Sequence, residues 1–383
     1  MSCSQPCHPP GSTSPRDFQF LLSHPAGVAR AFGPARLPYL PNGSSMHKLV
    51  RDFIYAPGVS NVSVEQGNLI DGMDRLLEQA FGNGDPAARL EVQRTLYAIN
   101  LAHLATPWQG SPVNVHHPLI ATLKYRIEQR WEAAERATYQ STLADLPSVD
   151  DFPEWVSRLV ASHHSNELHP IFQYLRDDAS LAEMTEFFRQ ETPLEMLFGD
   201  ILAFMLPGVY GSIKMECVQN YWDEVGHAED ARVHRNMRAD LMKALGMRAD
   251  NYVVDSDPLV LEELELVNMY LSLAMNRPAL TQLIGIMLAT ELMIPGRFEY
   301  QIAGWKRLGM SDTQLAYHLE HVTVDAEHAY AWLHHVVMPI LREDASVMAD
   351  MVLGVNRRLD AAARVSDRLY AHIRTMAADA QPA

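Results

Sequence analysis

Helical periodicity with almost no strand pattern constrains the fold of this chain more than any other feature of its sequence. Apolar residues recur at helical spacing through most of residues 153–375. Alternating Val, Ile and Thr residues, which are typical of strands, are nearly absent, so no sheet is predicted. Amphipathic helices without a sheet bury their apolar faces against one another. The sequence therefore predicts an all-α protein built as a helical bundle.

Three regions are predicted. Residues 1–45 are rich in Pro, Ser and Gly and predict a disordered tail. Residues 46–148 predict an N-terminal helical segment, and residues 149–378 predict the core. The N-terminal helices are predicted near 62–80, 87–104 and 118–139. The core helices are predicted near 153–163, 166–176, 180–190, 192–206, 211–245, 258–276, 279–307, 311–337 and 340–375.

Charge and cysteine content exclude several classes of protein. The formal net charge of the 383 residues is −16, which repels nucleic acid and anionic membrane surfaces, so neither is expected as a partner. The three cysteines, Cys3, Cys7 and Cys217, form no CxxC pair, which excludes a disulfide framework and a cysteine-based metal site. The N-terminus has no apolar signal segment. The most apolar stretch, Leu280–Pro295, is too short and polar to span a bilayer. A cytoplasmic protein is predicted.

One predicted helix carries metal-ligand residue types on a single face. It begins at a capping box formed by Ser311 and Gln314. Its residues His321, Asp325 and His328 are spaced four and three apart, which places the side chains within about 60° of one face. Two imidazoles and a carboxylate are costly to bury without a partner, and a divalent cation satisfies all three. The alternative is a polar helix face in water.

A second stretch contains an isolated carboxylate. Glu291 is the only charged residue in the apolar run 279–296. Burial there raises the pKa of a carboxylate unless a cation neutralises it. The alternative is a solvated Glu at a helix bend before Pro295.

A third stretch, residues 212–241, contains Glu224 and His234. They lie ten residues apart, on neighbouring parts of one face if the helix continues through the GHAED segment. His227, three residues after Glu224, is a rival ligand by spacing. Glu224 is alternatively one surface charge among several.

Together the three stretches offer six ligands and predict two metal ions bridged by carboxylate. Carboxylate and imidazole without thiolate suit iron or manganese more than structural zinc, and six ligands are too many for one ion with an open position. The six ligands are Glu224, His234, Glu291, His321, Asp325 and His328. A fourth carboxylate would balance the charge of two divalent ions, and residue spacing does not distinguish the three candidates Glu191, Glu195 and Glu216.

The order of these motifs resembles a known family. NYWDEVG followed by a His, then ATELMIPGRFEY, then HVTVDAEH resemble the iron-containing redox enzymes, which are haem-oxygenase-like di-iron oxidases and oxygenases. The resemblance covers residues 150–375. It implies a seven-helix haem-oxygenase-like fold that holds two irons rather than haem, here with an additional N-terminal helical segment. The resemblance assigns the six ligands to three core helices and makes Glu195 the match for a further carboxylate ligand. At the position of His227 the family has a small residue, so the resemblance implies that His227 lies next to the ligands without binding metal.

The resemblance also implies a function. It predicts O2-dependent oxidation or oxygenation of a small organic substrate, such as N-oxygenation of an amine in a natural-product pathway, with an external electron donor. No catalytic residue beyond the metal ligands is predicted, and the absence of a GxGxxG or P-loop motif argues against a flavin or nucleotide site. A homodimer is left open. The alternatives are an iron- or haem-binding helical protein without oxygenase activity and a non-catalytic scaffold with an incidental His-rich face.

Overall fold

The computed structural model describes residues 45–58, 64–106, 108, 110–166, 168–248 and 255–379, apart from the side chains of residues 64–66, 323–327 and 377–379. The predicted tail, residues 1–45, lies outside the described residues except for Ser45. Within the described residues the chain forms fifteen α-helices and no strand, which confirms the predicted all-α class.

The helices follow one another with short connections. In the N-terminal segment they are α1 (Met46–Tyr55), α2 (Val64–Leu77), α3 (Pro86–His103), α4 (Pro118–Thr138) and α5 (Gln140–Ala144). In the core they are α6 (Phe152–Ser162), α7 (Pro170–Asp177), α8 (Leu181–Met205), α9 (Gly211–Glu224), α10 (His234–Ala244), α11 (Leu261–Met275), α12 (Leu280–Arg307), α13 (Ala316–Ala331), α14 (Met338–Glu343) and α15 (Met348–Asp379). A π-helical turn, Trp332–Val337, joins α13 to α14.

Helix α8 corrects one predicted boundary. The sequence predicts two helices, 180–190 and 192–206, but α8 runs unbroken through Pro193. It begins at a capping box in which Ser180 and Glu183 satisfy each other's free backbone N–H groups. A proline interrupts the hydrogen bonds of a helix interior. Here the buried Arg238 and the Thr192 hydroxyl both donate to the Phe188 carbonyl in the turn before Pro193, so side chains stabilise the affected turn.

The predicted helix 211–245 is wrong as a single element. It divides into α9 and α10, because Gly226, His227 and Ala228 all have positive φ angles of 62°, 56° and 65°. Only glycine adopts this left-handed region without a steric cost, so an α-helix cannot continue through the segment. The break turns the chain so that the end of α9 and the start of α10 lie side by side.

Other boundaries shift for local reasons. The capping box of Ser311 and Gln314 forms, with the Ser311 N–H donating to Gln314 Oε1 at 3.0 Å, but in a turn before α13, which begins at Ala316. The predicted helix 340–375 is two elements, α14 and α15, separated at Asp344. Helix α1 was not among the predicted helices, although it has six buried residues on one side.

Helices α12 and α15 cross at unusually close range. A Cβ atom at Gly285 would lie 2.2 Å from the Met351 carbonyl oxygen, and one at Gly354 would lie 2.0 Å from the Gln282 carbonyl oxygen. Real Cβ atoms do not approach oxygen so closely, so only glycine fits at both positions. Each helix therefore packs directly on the backbone of the other.

The segment Arg277–Arg307, which contains α12, is long and apolar enough to cross a membrane by length and composition alone. It is longer than the apolar stretch identified in the sequence. However, 61% of its most apolar window is buried inside the protein, as in a core helix. Its packing against α15 and α13 accounts for the apolar composition.

The N-terminal segment packs on the core through α3 and α11. The buried Asn268 of α11 donates to the Gln93 backbone carbonyl and side chain at 2.8 Å and 2.9 Å, and Asn100 donates to Asn268. Most buried apolar side chains form one cluster that includes residues from α1 through α15. The division of the chain at residue 148 stays a prediction.

Candidate metal centre

One cavity of about 40 Å³ brings together most of the predicted ligands. It lies between α8, α9, α10, α12, α13 and α15. Six of the seven predicted site residues line it. They are Glu195, Glu224, His234, Glu291, His321 and His328. The seventh, Asp325, is on α13 between His321 and His328, and its side chain lies outside the described residues.

The first donor group consists of Glu224, His234 and His321, with one potential ligand atom of each within 4.8 Å of the others. Glu224 ends α9 and His234 begins α10, so the broken helix brings them together. His234 Nδ1 lies 3.1 Å from Glu224 Oε2. The imidazole and the carboxylate are thus close enough to bind one metal ion together.

A backbone contact fixes the tautomer of His321. Its Nδ1–H donates to the Tyr317 carbonyl at 2.7 Å, which leaves the lone pair of Nε2 available for a metal ion. Burial, together with the neighbouring His234, lowers the pKa of His321 to about 3. The imidazole is therefore neutral at physiological pH, as a metal ligand must be. Burial also lowers the pKa of His234, but the nearby Glu224 outweighs this effect and the net shift is upward.

The second donor group consists of Glu291 and His328. His328 Nδ1 lies 3.7 Å from Glu291 Oε2, while its Nε2 lies 2.9 Å from Asp223 Oδ2. Burial raises the pKa of Glu291; His328 opposes this shift, and the nearby Glu224 adds to it. The Glu291 carboxylate is thus unfavourable in its charged form without a cation. Because the charge of Glu224 acts on Glu291, the two donor groups are electrostatically adjacent.

The three carboxylates that spacing could not distinguish have different surroundings. Glu195, on α8, lines the cavity and accepts a hydrogen bond from the Tyr317 hydroxyl. Glu191 lies 3.6 Å from Arg238 and lines a neighbouring cavity instead. Glu216 accepts from Asn220 at 2.9 Å and does not line the metal cavity. Of the three, Glu195 is therefore in a position to bind a metal ion, and its role as a ligand stays a prediction.

Asp223 is the residue of this site that the sequence analysis missed. It lines the cavity beside Glu224. Its two oxygens lie 2.9 Å from His328 Nε2 and 2.6 Å from His227 Nε2. Burial raises the pKa of Asp223, but hydrogen bonds from both histidines outweigh this and lower it. Its position beside Glu224 in NYWDE was the one signal that could have identified it.

Replacing Asp223 by alanine is expected to weaken metal binding at the second donor group by about 10- to 100-fold, because His328 loses the carboxylate that orients its ring. Titration of the metal-free protein with Co(II), followed by absorption spectroscopy, measures the change. Asp240→Ala removes an exposed carboxylate of α10 that pairs with Lys243 at the surface, and serves as the control. Equal cobalt affinities in Asp223→Ala and the unmodified protein would contradict this role.

A second cluster of potential ligands, His164, His169 and Asp367, fits a structural role better. His169 Nδ1 accepts the backbone N–H of Ile171 at 3.1 Å and so caps α7. Its proton is therefore on Nε2, which donates to Asp367 Oδ1 at 3.0 Å. A metal ion at Nε2 would require this imidazole to lose its remaining proton. The cluster is a helix cap held by a carboxylate.

The donor set of the cavity fits two divalent iron ions. All donors are carboxylate oxygens and imidazole nitrogens, which suit iron and manganese. The four carboxylates that line the cavity balance the charge of two divalent ions when the histidines are neutral. They are Glu195, Asp223, Glu224 and Glu291.

Comparison with known proteins agrees with this chemistry. Residues 185–363 match the family described as iron-containing redox enzymes, and this range contains all seven predicted site residues. Among solved structures, the chain is similar to a domain of unknown function with a heme oxygenase-like fold from Shewanella denitrificans. The identity is 16% and the TM-score 0.47, over 62% of this chain and 100% of that domain. A search of the curated proteins finds no match. The family match confirms the predicted resemblance to the iron-containing redox enzymes over residues 185–363.

Proposed function

We propose that this chain is a non-haem di-iron enzyme that uses O2 and electrons from an external donor to oxidise a small organic substrate. The observation that carries the proposal is that two groups of buried donors face one cavity, with Glu224 and Glu291 electrostatically adjacent between them. The family match to iron-containing redox enzymes supports the same chemistry.

In this proposal the first donor group holds one iron and the second holds the other. Asp325 and Glu195 complete the set, as the family resemblance implies. When bound, the iron pair supplies the electrons that reduce O2. The chain itself supplies the orientation of the ligands, the exclusion of water and the shape of the substrate site.

Tyr317 positions one carboxylate ligand and one histidine ligand. Its hydroxyl donates to Glu195, and its backbone carbonyl accepts the Nδ1–H of His321. Burial and the adjacent Glu195 raise the pKa of Tyr317 well above its ordinary value. The hydroxyl therefore keeps its proton and continues to donate, which holds the carboxylate in place.

Part of the cavity wall is apolar. Leu194, Phe198 and Leu202 of α8 and Ile294 of α12 lie among the polar donors. They exclude bulk water, which strengthens the electrostatic interactions inside. They also present a surface to the apolar part of a substrate.

The charge of the cavity lining disfavours a haem-binding protein. Glu195, Asp223, Glu224 and Glu291 would all face any porphyrin placed there, and buried carboxylates without a cation beside them are unfavourable.

The family resemblance and the composition support several finer proposals. The specific reaction we propose is N-oxygenation of an amine in a natural-product pathway. The external reductant and the cytoplasmic location are proposed on the same grounds. We further propose that the chain binds neither nucleic acid nor a membrane and that it can form a homodimer.

Anaerobic loading with ferrous iron, followed by an O2 pulse and Mössbauer spectroscopy, tests the di-iron centre. We expect two irons per chain and a magnetically coupled ferric signal after O2. In Glu291→Ala we expect one iron per chain and no coupled signal, because the second donor group loses its buried carboxylate.

Glu299→Ala removes an exposed carboxylate on the same helix and provides the matched control. It should load two irons. Normal loading of Glu291→Ala with two irons would exclude Glu291 as a ligand. Absence of the coupled ferric signal from both the unmodified protein and Glu299→Ala would overturn the proposed function.

A further inference from the structure

A second, smaller cavity adjoins the metal cavity. It has about 20 Å³ and lies between α8, α11, α12 and α15. Four of its lining residues also line the metal cavity, and Glu195 is one of them. A water molecule needs about 10–15 Å³ of such space and two to four polar partners. The smaller cavity is therefore large enough for one water molecule and too small for an organic substrate.

Four polar side chains that line the smaller cavity each have an unused hydrogen-bonding atom. Within the described part of the chain, these buried atoms without a hydrogen-bond partner are Glu191 Oε2, Glu263 Oε2, Arg297 Nε and Arg358 Nη1. The two carboxyl oxygens can accept hydrogen bonds, and the two guanidinium nitrogens donate them. A water molecule has two donors and two acceptors, which is the complement of this set. The lining therefore favours a bound water molecule.

The charged groups around the smaller cavity act on one another. Arg297 is influenced by the neighbouring Arg358 and by three carboxyl groups, those of Glu191, Glu195 and Glu263. Arginines and carboxyl groups thus offset one another's charge within the protein. The cavity needs no further ion, and a neutral occupant such as water is favoured.

Glu191 is the first of two carboxyl groups at this cavity that hold a proton near neutral pH. Burial raises the pKa of Glu191 to about 7. The charge of Glu195 adds to this shift, while two arginines and an amide oppose it. These are Arg238 of α10, which lies 3.6 Å from Glu191, and Arg297 and Gln301 of α12.

Glu263 is the second of these carboxyl groups. Burial raises the pKa of Glu263 to about 8. The charges of Glu191 and Glu195 add to this shift, whereas those of Arg297 and Arg358 oppose it. Because the charge of Glu191 acts on Glu263, the two groups titrate as a pair. The pair therefore holds at least one proton at neutral pH.

We propose that Glu191, Glu263 and a bound water molecule form a proton-transfer path into the metal cavity. Glu195 lines both cavities, so a proton that leaves the pair through the water reaches the wall of the metal cavity. On the opposite side, the residue before Glu263 is Glu262, which is partly exposed, so this turn of α11 reaches solvent. This inference deepens the proposed function and rests on it.

The proposed reaction needs such a path. Inserting one atom of O2 into a substrate reduces the other atom to water, according to RH + O2 + 2 e− + 2 H+ → ROH + H2O. The external donor supplies the two electrons. The apolar part of the metal cavity excludes bulk water, so the two protons must arrive through side chains of the protein or through bound water.

Infrared spectroscopy of the metal-free full chain tests whether the pair holds a proton. The C=O stretching band of protonated carboxylic acids is followed between about pH 6 and about pH 9, a range that brackets both pKa values. We expect a band component that disappears as the pH rises and that Glu263→Gln lacks. Glu265→Gln is the matched control, because it removes another buried carboxyl group of α11, paired with Arg89, and should keep that component.

The reaction of the iron-loaded chain with O2 tests proton delivery while the natural substrate is unidentified. Without substrate, two ferrous ions, O2 and two protons give two ferric ions and H2O2, so stopped-flow measurement of peroxide release reports the arrival of protons. In the unmodified protein and in Glu265→Gln, release should slow as the pH rises through about 8, where the pair loses its proton.

Glu191→Gln and Glu263→Gln should both load two irons, because neither residue is a predicted ligand. Each should release peroxide about 100-fold more slowly, the lower end of the range for positioned proton donors. Each should also lose the pH dependence of the rate. A purely structural role would lower the thermal midpoint on substitution without changing the shape of the pH profile.

Two results would overturn the inference. One is an infrared titration in which Glu263→Gln and the unmodified protein have the same carboxylic-acid band. The other is an unchanged rate and pH profile of peroxide release in both Glu191→Gln and Glu263→Gln. The number of irons per chain is measured in the same samples. Two irons with unchanged kinetics would contradict the inference alone, whereas failure of the unmodified protein to load iron would contradict the proposed function.

Discussion

Glu224→Ala is expected to lose both irons and to reduce oxidase activity by at least about 1,000-fold, the effect of losing an electrostatic interaction made in the transition state. Glu224 lies 3.1 Å from His234 Nδ1, and its charge acts on Glu291 across the cavity. Loss of the Glu224 carboxylate removes a ligand from the first donor group. It also weakens the electrostatic attraction between the cavity and the second ion. Iron content by mass spectrometry and the coupled ferric signal measure the change.

Two further variants make this result specific. Glu224→Gln keeps the size of the side chain without its charge, and we expect the same loss of iron. Glu229→Ala removes an exposed carboxylate five residues later and should bind two irons. Two tightly bound irons in Glu224→Ala would show that Glu224 is not a ligand and would exclude it as the residue that connects the two donor groups.

Gly354→Ala is expected to destabilise the protein by at least about 3 kcal/mol, the upper part of the range for overpacked cores. An added Cβ would lie 2.0 Å from the Gln282 carbonyl oxygen, which is backbone and cannot move without separating α12 from α15. The direction of the change in stability is informative, because replacing glycine by alanine in a helix normally stabilises a protein by about 0.5–1 kcal/mol. Unfolding in urea, monitored by circular dichroism, measures the free energy of unfolding.

Gly67→Ala is the matched control for this prediction. Gly67 is an exposed glycine of α2 with nothing within 4 Å of the added Cβ, so the substitution should be neutral or stabilising. An unchanged free energy of unfolding in Gly354→Ala would contradict the close crossing of the two helices. Because Glu291 lies on α12, whose packing the substitution would disturb, we also expect Gly354→Ala to weaken iron binding.

The broken helix between α9 and α10 illustrates where reasoning from spacing fails. The spacing predicts that Glu224 and His234 lie on neighbouring parts of one face if the helix continues between them. They do lie together, but because three residues with positive φ angles reverse the chain between them. The same break places His227 on Asp223 and thus connects the loop to the second donor group. Helical spacing carries no information about the direction of a chain after such a turn.

Periodicity, charge and residue type in the sequence alone determined that this protein is all-helical, that His321 and His328 share a helix, and that Glu291 is an isolated carboxylate in an apolar run. These are properties of single helices, where geometry follows from residue spacing. Residue spacing left Glu191, Glu195 and Glu216 equivalent, and the family resemblance singled out Glu195. Only the tertiary structure showed that Glu195 lines the cavity while the other two do not, and that Asp223 contacts His328. Contacts between helices depend on crossings such as that of α12 and α15, where backbone packs on backbone, and residue spacing within one helix does not contain that information.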